Sequence, residues 1–348
     1  MTEYTNFRSN PGIDPSLHLW GWEIPVYLYV GGLVAGLMIL SGYHILRQQW
    51  DDNHTRGHYV TAPLLSLVLL SAGMLALFLD LGSKLYVWRL YLTFEPTSPM
   101  SWGSWILLAV YPALFASALL TLPDALPRLT RKFPALGDRA KRLASSDVFA
   151  HVTGFSNLIL GVLLGIYTGV LLSSLAARPL WNSALLGPLF LFSGLSTGAA
   201  ALHLLSHLRP RPQRDEGAFT DALVSAMVHW LRPPDATGQG ERKLKHADNS
   251  FLTIELALIA LYFIGLVSST AAHQSAAHVL LFGEWAVWFW LAVIFAGIIL
   301  PLLLQYLQEL YRLRLAYVPA LLVLAGGLAL RIILVSAGQQ SGWSVAGY

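Results

Sequence analysis

Eight runs of about 20 apolar residues constrain this protein more than any other feature, because each is long enough to carry a helix across roughly 30 Å of bilayer hydrocarbon. They fall at residues 24–46, 59–80, 102–123, 149–172, 184–206, 250–270, 284–306 and 316–337. Within hydrocarbon every backbone N–H and C=O must find a partner inside the protein, so only helices and closed β-barrels can span it. Barrel strands are short and alternate in polarity, whereas these runs are continuous and rich in Leu, Ala and Gly. The reading is an all-α integral membrane protein with eight transmembrane helices, grouped as two four-helix bundles. Composition agrees: 55 % of residues are hydrophobic and 12 % are charged, about half the charged share of a water-soluble domain.

Basic residues set the orientation. The connections after helices one, three, five and seven carry seventeen of the 22 Lys and Arg residues. The opposite side carries only Arg8, Lys84, Arg89 and Arg178, and Arg331 lies within helix eight. Positive charge is retained on the cytoplasmic side, so both termini are expected outside a bacterial inner membrane. The same placement accounts for the net charge of +3 and argues against nucleic-acid binding.

The organisation expected along the sequence is an outer N-terminal segment (1–23), a first bundle of helices one to four together with helix five (24–206), a basic cytoplasmic loop (207–249), helices six to eight (250–340) and an outer tail (341–348). The first run follows a polar stretch with no small-residue cleavage site, which makes it a retained helix rather than a signal peptide. Small residues four apart at Gly32/Gly36, Gly161/Gly165/Gly169 and Gly194/Gly198 allow close helix approach. The string Gly-Leu-x-x-Gly occurs in helices one and five, which hints at two parallel halves. The Pro-rich loop 206–249 is the seam between them, and Phe219 to Leu231 within it has the pattern of a surface helix.

Chemistry must come from what is left. With no cysteine, the sequence offers no disulfide, thiolate zinc site or iron–sulfur cluster. A haem relay needs histidine pairs near both faces, yet His44, His58, His151, His203 and His207 all lie toward the inner side. On the outer side His18, His273 and His278 are in loops. No phosphate loop, nucleophile elbow or HExxH string is present. Ionisable groups inside hydrocarbon are costly and mark wet cavities or bundle interiors. Glu23, Asp80 and Glu284 lie at the outer boundary, and Tyr167 and Arg331 about 9 Å inside it. Asp80 has Arg331 or Lys84 as a possible ion-pair partner. Glu23 and Tyr27 are four apart, hence on one helix face. A carboxylate beside a phenol suits a ligand whose carbonyl or hydroxyl groups take up and release protons, as a quinone does. Glu255 lies in helix six near the level of the inner histidines and, with them, is a candidate proton half-channel.

Several strings, in order, resemble the NrfD/PsrC family of membrane subunits. They are Trp20-Gly-Trp22-Glu23-Ile-Pro25-Val-Tyr27 running on to Gly32 and Gly36, Leu79-Asp80-Leu-Gly82 with Trp88-Arg89-Leu90, and Pro96-Thr97-Ser98-Pro99-Met100-Ser101-Trp102-Gly103. Gly165-Ile-Tyr167-Thr-Gly169, Arg178-Pro-Leu-Trp181-Asn182, Phe190-Leu-Phe-Ser-Gly194 and Leu330-Arg331 continue the set, which spans about residues 18 to 340. The resemblance implies a subunit with no tightly bound cofactor that exchanges electrons with menaquinone or ubiquinone. It further implies docking to a ferredoxin-like subunit that bears four-iron clusters and, through it, to a catalytic partner: a molybdopterin enzyme, a multihaem cytochrome or a hydrogenase. In that family a tyrosine of helix four holds the quinone near the outer face, and Tyr167 matches it. The family's helix-one histidine aligns with Tyr27, and its asparagine falls near Glu23 or Ile24.

The resulting expectation assigns Tyr167 to one quinone oxygen, Glu23 or Tyr27 to the other, and Asp80 to proton exchange with outer water. Arg331 and Glu255 join the proton-transfer set, and Lys84 to Gly103 is the docking loop. Rival readings are a secondary transporter and a haem-b cytochrome.

Overall fold

The computed structural model describes residues 20–47, 59–175, 177–208, 239–311 and 317–342, and within these the side chains of residues 128, 206–208, 239–243 and 309 are left aside. The expected surface helix at 219–231, His18, His58, and most of the N-terminal segment, the basic loop and the tail lie outside the described residues. Helices account for most of the described residues, and no strand occurs among them.

Among the described residues, eight helices are long and apolar enough to span a membrane. They are α1 (Glu23–Leu46), α2 (Ala62–Asp80), α4 (Pro99–Ala125), α7 (Asp147–Ser173), α8 (Leu186–Leu208), α9 (Gln239–Val267), a composite of α11 (Ala286–Trp288), a π-helical stretch (Phe289–Ile299) and α12 (Leu300–Tyr311), and α13 (Val318–Gln340). Shorter helices connect them: α3 (Arg89–Leu92), α5 (Pro127–Lys132), α6 (Pro134–Ala144) and α10 (Ala271–Leu281). Proline opens α2, α4 and α13, where its missing N–H costs no hydrogen bond. Ser146 opens α7 by accepting from the Phe149 N–H at 3.4 Å.

The spans match the apolar runs, with boundary differences that have simple causes. Helix α9 reaches back to Gln239 instead of starting near 250, because its first turns are polar and read as loop. Helix α13 runs to Gln340, so Arg331 lies nine residues, or about 14 Å, from its end rather than six. Glu284 sits exposed in the turn before α11, not in the helix. The π-helical stretch lies within the seventh apolar run, whose composition does not distinguish it from α-helix, and the four short helices are too short to appear as apolar runs of spanning length.

Helix α1 packs against α2, α7, α8 and α13 and so lies at the centre. Helix α4 packs on α2 and α7, whereas α9 and α13 both pack on α8 and on the π-helical stretch. At its glycines the α1–α8 contact is backbone against backbone. A Cβ on Gly194 would stand 2.5 Å from the Gly32 carbonyl oxygen, one on Gly198 2.8 Å from Gly36 Cα, and one on Gly36 would overlap the Gly194 carbonyl. The two Gly-Leu-x-x-Gly strings therefore pack directly on each other. Gly161 does the same for α7, its virtual Cβ lying 3.0 Å from the Ala35 carbonyl oxygen.

One end of the molecule is clamped by polar contacts. Trp20 and Gln339 exchange hydrogen bonds at 3.1 Å, Trp20 stacks on Trp181 at 5.2 Å, and Trp181 Nε1 donates to the Leu334 carbonyl at 2.8 Å. Arg178 donates to the Ser341 carbonyl at 2.9 Å. The start of α1 and the end of α13 thus share a side, called here the outer end. The other end, where α1, α4 and α8 finish, is called the basic end.

Because backbone atoms have no rotamer to step into, Gly36→Ala is expected to cost at least the roughly 1–3 kcal/mol typical of overpacking. Gly265→Ala is the control, since nothing lies within 4 Å of a Cβ there. Thermal melting in detergent should drop for Gly36→Ala and hold for Gly265→Ala; equal melting would refute the backbone seam.

Candidate functional site

Two polar centres sit inside the helices, one toward the outer end of α1 and one deeper. The outer centre begins with Tyr27, one turn into α1 and 3 % exposed, and Tyr167, about 9 Å from the end of α7 and 7 % exposed. Their phenols are hydrogen-bonding neighbours. The Tyr167 ring occupies the space over Gly103 of α4, where any Cβ would collide with it. Gly73 of α2 leaves room beside Tyr27, with Val30 Cγ1 at 3.2 Å and Tyr27 Cδ2 at 3.9 Å from a virtual Cβ. Four helices therefore converge on the tyrosine pair, and two of them contribute a glycine.

Above the pair lie the carboxylates. Glu23 is half-buried at the start of α1, and its charge acts on Asp80, also half-buried, at the end of α2. The two acids thus share a neighbourhood at the rim. Tyr91, which the sequence does not single out, sits close enough to act on both Tyr27 and Tyr167. Partial burial and the neighbouring Tyr111 raise its own phenol above the ordinary value, so it stays protonated. Helix α3 holds Tyr91 in place, because Ser104 Oγ donates to the Leu90 carbonyl at 2.8 Å and Trp102 Nε1 to that of Pro96 at 2.9 Å. Arg89 covers the Tyr86 ring at 4.6 Å, and Leu85, Trp88 and Trp102 are exposed.

Arg331 does not join this cluster. It is fully buried near mid-depth, and Nη1 donates to Ser193 Oγ and to the Gly327 carbonyl at 3.1 Å, while Nη2 donates to the Phe190 carbonyl at 3.3 Å. The guanidinium lies 4.9 Å from the Phe190 ring centroid and 3.0 Å from where a Gly32 Cβ would stand. Its acidic neighbour is Glu255, not Asp80. Glu255 is 4 % exposed; Ser196 Oγ donates to its Oε2 at 2.9 Å and Ser193 hydrogen-bonds it too. Ser193 therefore bridges acid and base. Helix rotation decides this pairing: position 331 of α13 faces α8, and α2 is on the far side of α1. The serines three apart on α8 are a readable sign of a polar stripe.

Three of the described histidines make local contacts. His44 stacks on Tyr59 at 4.2 Å, His151 Nδ1 sits 2.7 Å from the Asp147 carbonyl, and His273 Nδ1 is 2.7 Å from Thr270 Oγ1. No group of three or more His, Asp or Glu with metal-holding geometry occurs among the described residues.

Comparison with known proteins identifies the family. The model of the family described as polysulphide reductase, NrfD, matches residues 11–231 and 217–341. The protein belongs to the NrfD family. It is 31 % identical to Protein NrfD of Escherichia coli over 92 % of this sequence and 95 % of that protein. It is also 28 % identical to a polysulfide reductase chain of Wolinella succinogenes, over 92 % and 94 % of the two sequences. With a selenate reductase subunit of Mesobacillus selenatarsenatis it shares 24 % identity over 91 % of this sequence and 73 % of the relative.

Proposed function

We propose that this NrfD-family protein is the membrane subunit of a respiratory oxidoreductase complex and exchanges electrons between the quinone pool and an iron–sulfur partner at the outer face. The observation that carries this reading is the buried Tyr27–Tyr167 pair with Glu23 and Asp80 at its rim. Two phenols can hydrogen-bond a quinone oxygen in either redox state, since each both donates and accepts. A quinol oxidised to quinone gives up two electrons and two protons, and carboxylates at the rim suit the receipt of those protons. Tyr167 holds one oxygen, Glu23 or Tyr27 serves the other, and Asp80 passes protons to outer water. Menaquinol or ubiquinol reaches the site from the bilayer beside α2, whose Leu75, Phe78 and Leu79 are exposed. The electrons go to a four-iron cluster on a ferredoxin-like subunit docked over residues 84–103, and onward to a molybdopterin, multihaem or hydrogenase subunit. Two relatives named as parts of a polysulfide reductase and of a selenate reductase support an assembly of this kind.

A second reading, proton translocation coupled to this redox step, is favoured by the Arg331–Ser193–Glu255 bridge. Charged groups this deep are expensive in hydrocarbon and are retained where they carry function. In domain terms, helices α1, α2, α4 and α7 form the quinone bundle, and α8, α9, α12 and α13 the bundle that carries the bridge.

If the outer centre binds quinol, Tyr167→Phe should lower quinol-linked turnover of the assembled complex several-fold to about tenfold, the worth of one lost hydrogen bond of roughly 0.5–1.5 kcal/mol. Asp80→Asn should alter the pH dependence of turnover while leaving assembly intact. Wild-type kinetics in both variants would remove the outer-centre reading.

The basic end faces the cytoplasm in this proposal, on the asymmetry of seventeen basic residues against four. Reporters fused after Tyr348 and within residues 84–100 should then read as external, and one within 128–142 as cytoplasmic; the reverse pattern would invert the electron-exit face.

A further inference from the structure

A third polar group, separate from both centres, lies at the basic end where α9 meets α12. Asp248 and Gln305 are 6 % and 7 % exposed, and Gln305 Nε2 donates to Asp248 Oδ2 at 2.8 Å. The other atom of each side chain, Asp248 Oδ1 and Gln305 Oε1, is buried without a hydrogen-bond partner. Both are acceptors when the acid is ionised, so the pair as an anion leaves two buried oxygens facing the same want of a donor. A buried acceptor without a donor is a large penalty in a medium of low polarity, and larger still for a charged group.

One proton removes both deficits. A carboxylic acid and a primary amide close a cyclic pair in which the amide N–H donates to one acid oxygen and the acid O–H donates to the amide oxygen. Half of that ring is already present in the 2.8 Å contact. The groups around it do not supply the missing donor. A crevice beside the pair is lined by His203, Lys245, Gln308, Pro319 and Ala320, and none of them gives Asp248 Oδ1 a hydrogen bond. Of the titratable groups, His203 from α8 and Lys245 from α9 line the crevice, and Glu255 acts on Asp248 from further along α9; α12 adds Gln308 to the lining, and α13 adds Pro319 and Ala320.

We propose that Asp248 and Gln305 form a proton-holding acid–amide pair, a loading site that exchanges protons with the basic-end crevice. Glu255 stands seven residues further along the same helix, two turns and about 10 Å, and so on the same face. Asp248, Glu255, Ser193 and Arg331 thus mark a line of polar groups from the basic end toward mid-depth. Proton storage at Asp248 stands on this geometry alone; delivery toward Glu255 rests on the redox reading above.

Infrared spectroscopy of the full-length protein in nanodiscs reads the site without any turnover. At neutral pH a protonated-carboxyl C=O band is expected that shifts in D2O and on 13C-aspartate labelling, is lost in Asp248→Asn, and persists in Glu255→Gln. In Gln305→Leu the band should move to higher frequency as the amide partner is lost, which keeps the test available if Asp248→Asn does not fold. Aspartate signals that are wholly carboxylate at neutral pH, or an acid band indifferent to both Asp248→Asn and Gln305→Leu, would overturn the proposal. Because the readout involves no quinol, that failure is separate from failure of the outer-centre reading.

Discussion

Backbone-on-backbone contact between α1 and α8 is the constraint from which the rest of the arrangement follows. Gly32 and Gly36 against Gly194 and Gly198 bring two helix axes closer than any pair of side chains would allow. That closeness makes α1 the central helix, in contact with α2, α7, α8 and α13. One face of α1 then carries Tyr27 toward Tyr167, and another presents the bare Cα of Gly32 to the guanidinium of Arg331. A methyl group at position 32 would stand 3.0 Å from Arg331 Nη2, so the glycine serves packing and charge accommodation at once.

The two centres solve the cost of polarity in hydrocarbon differently. At the outer end two buried phenols are neighbours of each other, and the carboxylates lie half-buried at the rim. Near mid-depth the charge is real, and it is met by an acid across a serine bridge and by two carbonyls. Removing one member of such a buried set leaves its partner's charge uncompensated, at about 3–5 kcal/mol, whereas loss of a rim carboxylate costs far less. Substitution is therefore expected to cost little stability at the outer centre and much more at the inner one.

Much of this is legible in the sequence, for identifiable reasons. Length and continuity of the apolar runs fix eight helices because the bilayer admits no other solution for such segments. Glycines four apart mark faces that pack, and the two matched strings prove to pack on each other. The four-residue spacing of Glu23 and Tyr27, with the family resemblance at Tyr167, brings the outer centre within reach. Rotation about each helix axis is not legible, because helices apolar on every side carry no amphipathic face to orient them. Hence depth alone groups Arg331 with the outer cluster, although it faces Glu255. Asp248 escapes notice for a related reason: the polar turns Gln239 to Asn249 read as loop, whereas they begin α9 and place Asp248 against Gln305. Tyr91 is hidden in a four-residue helix too short to leave a periodic signal.

The central claim is that quinone binds between α1 and α7 at the outer end rather than beside the buried charges. Photolabelling of the assembled complex with a photoreactive quinone, followed by mass spectrometry of the labelled peptides, tests it most directly. Label on the peptides that carry Tyr27 and Tyr167, suppressed by excess natural quinone, is the result this account predicts. Suppressible label confined to the α9 and α13 peptides that carry Glu255 and Arg331 would contradict it.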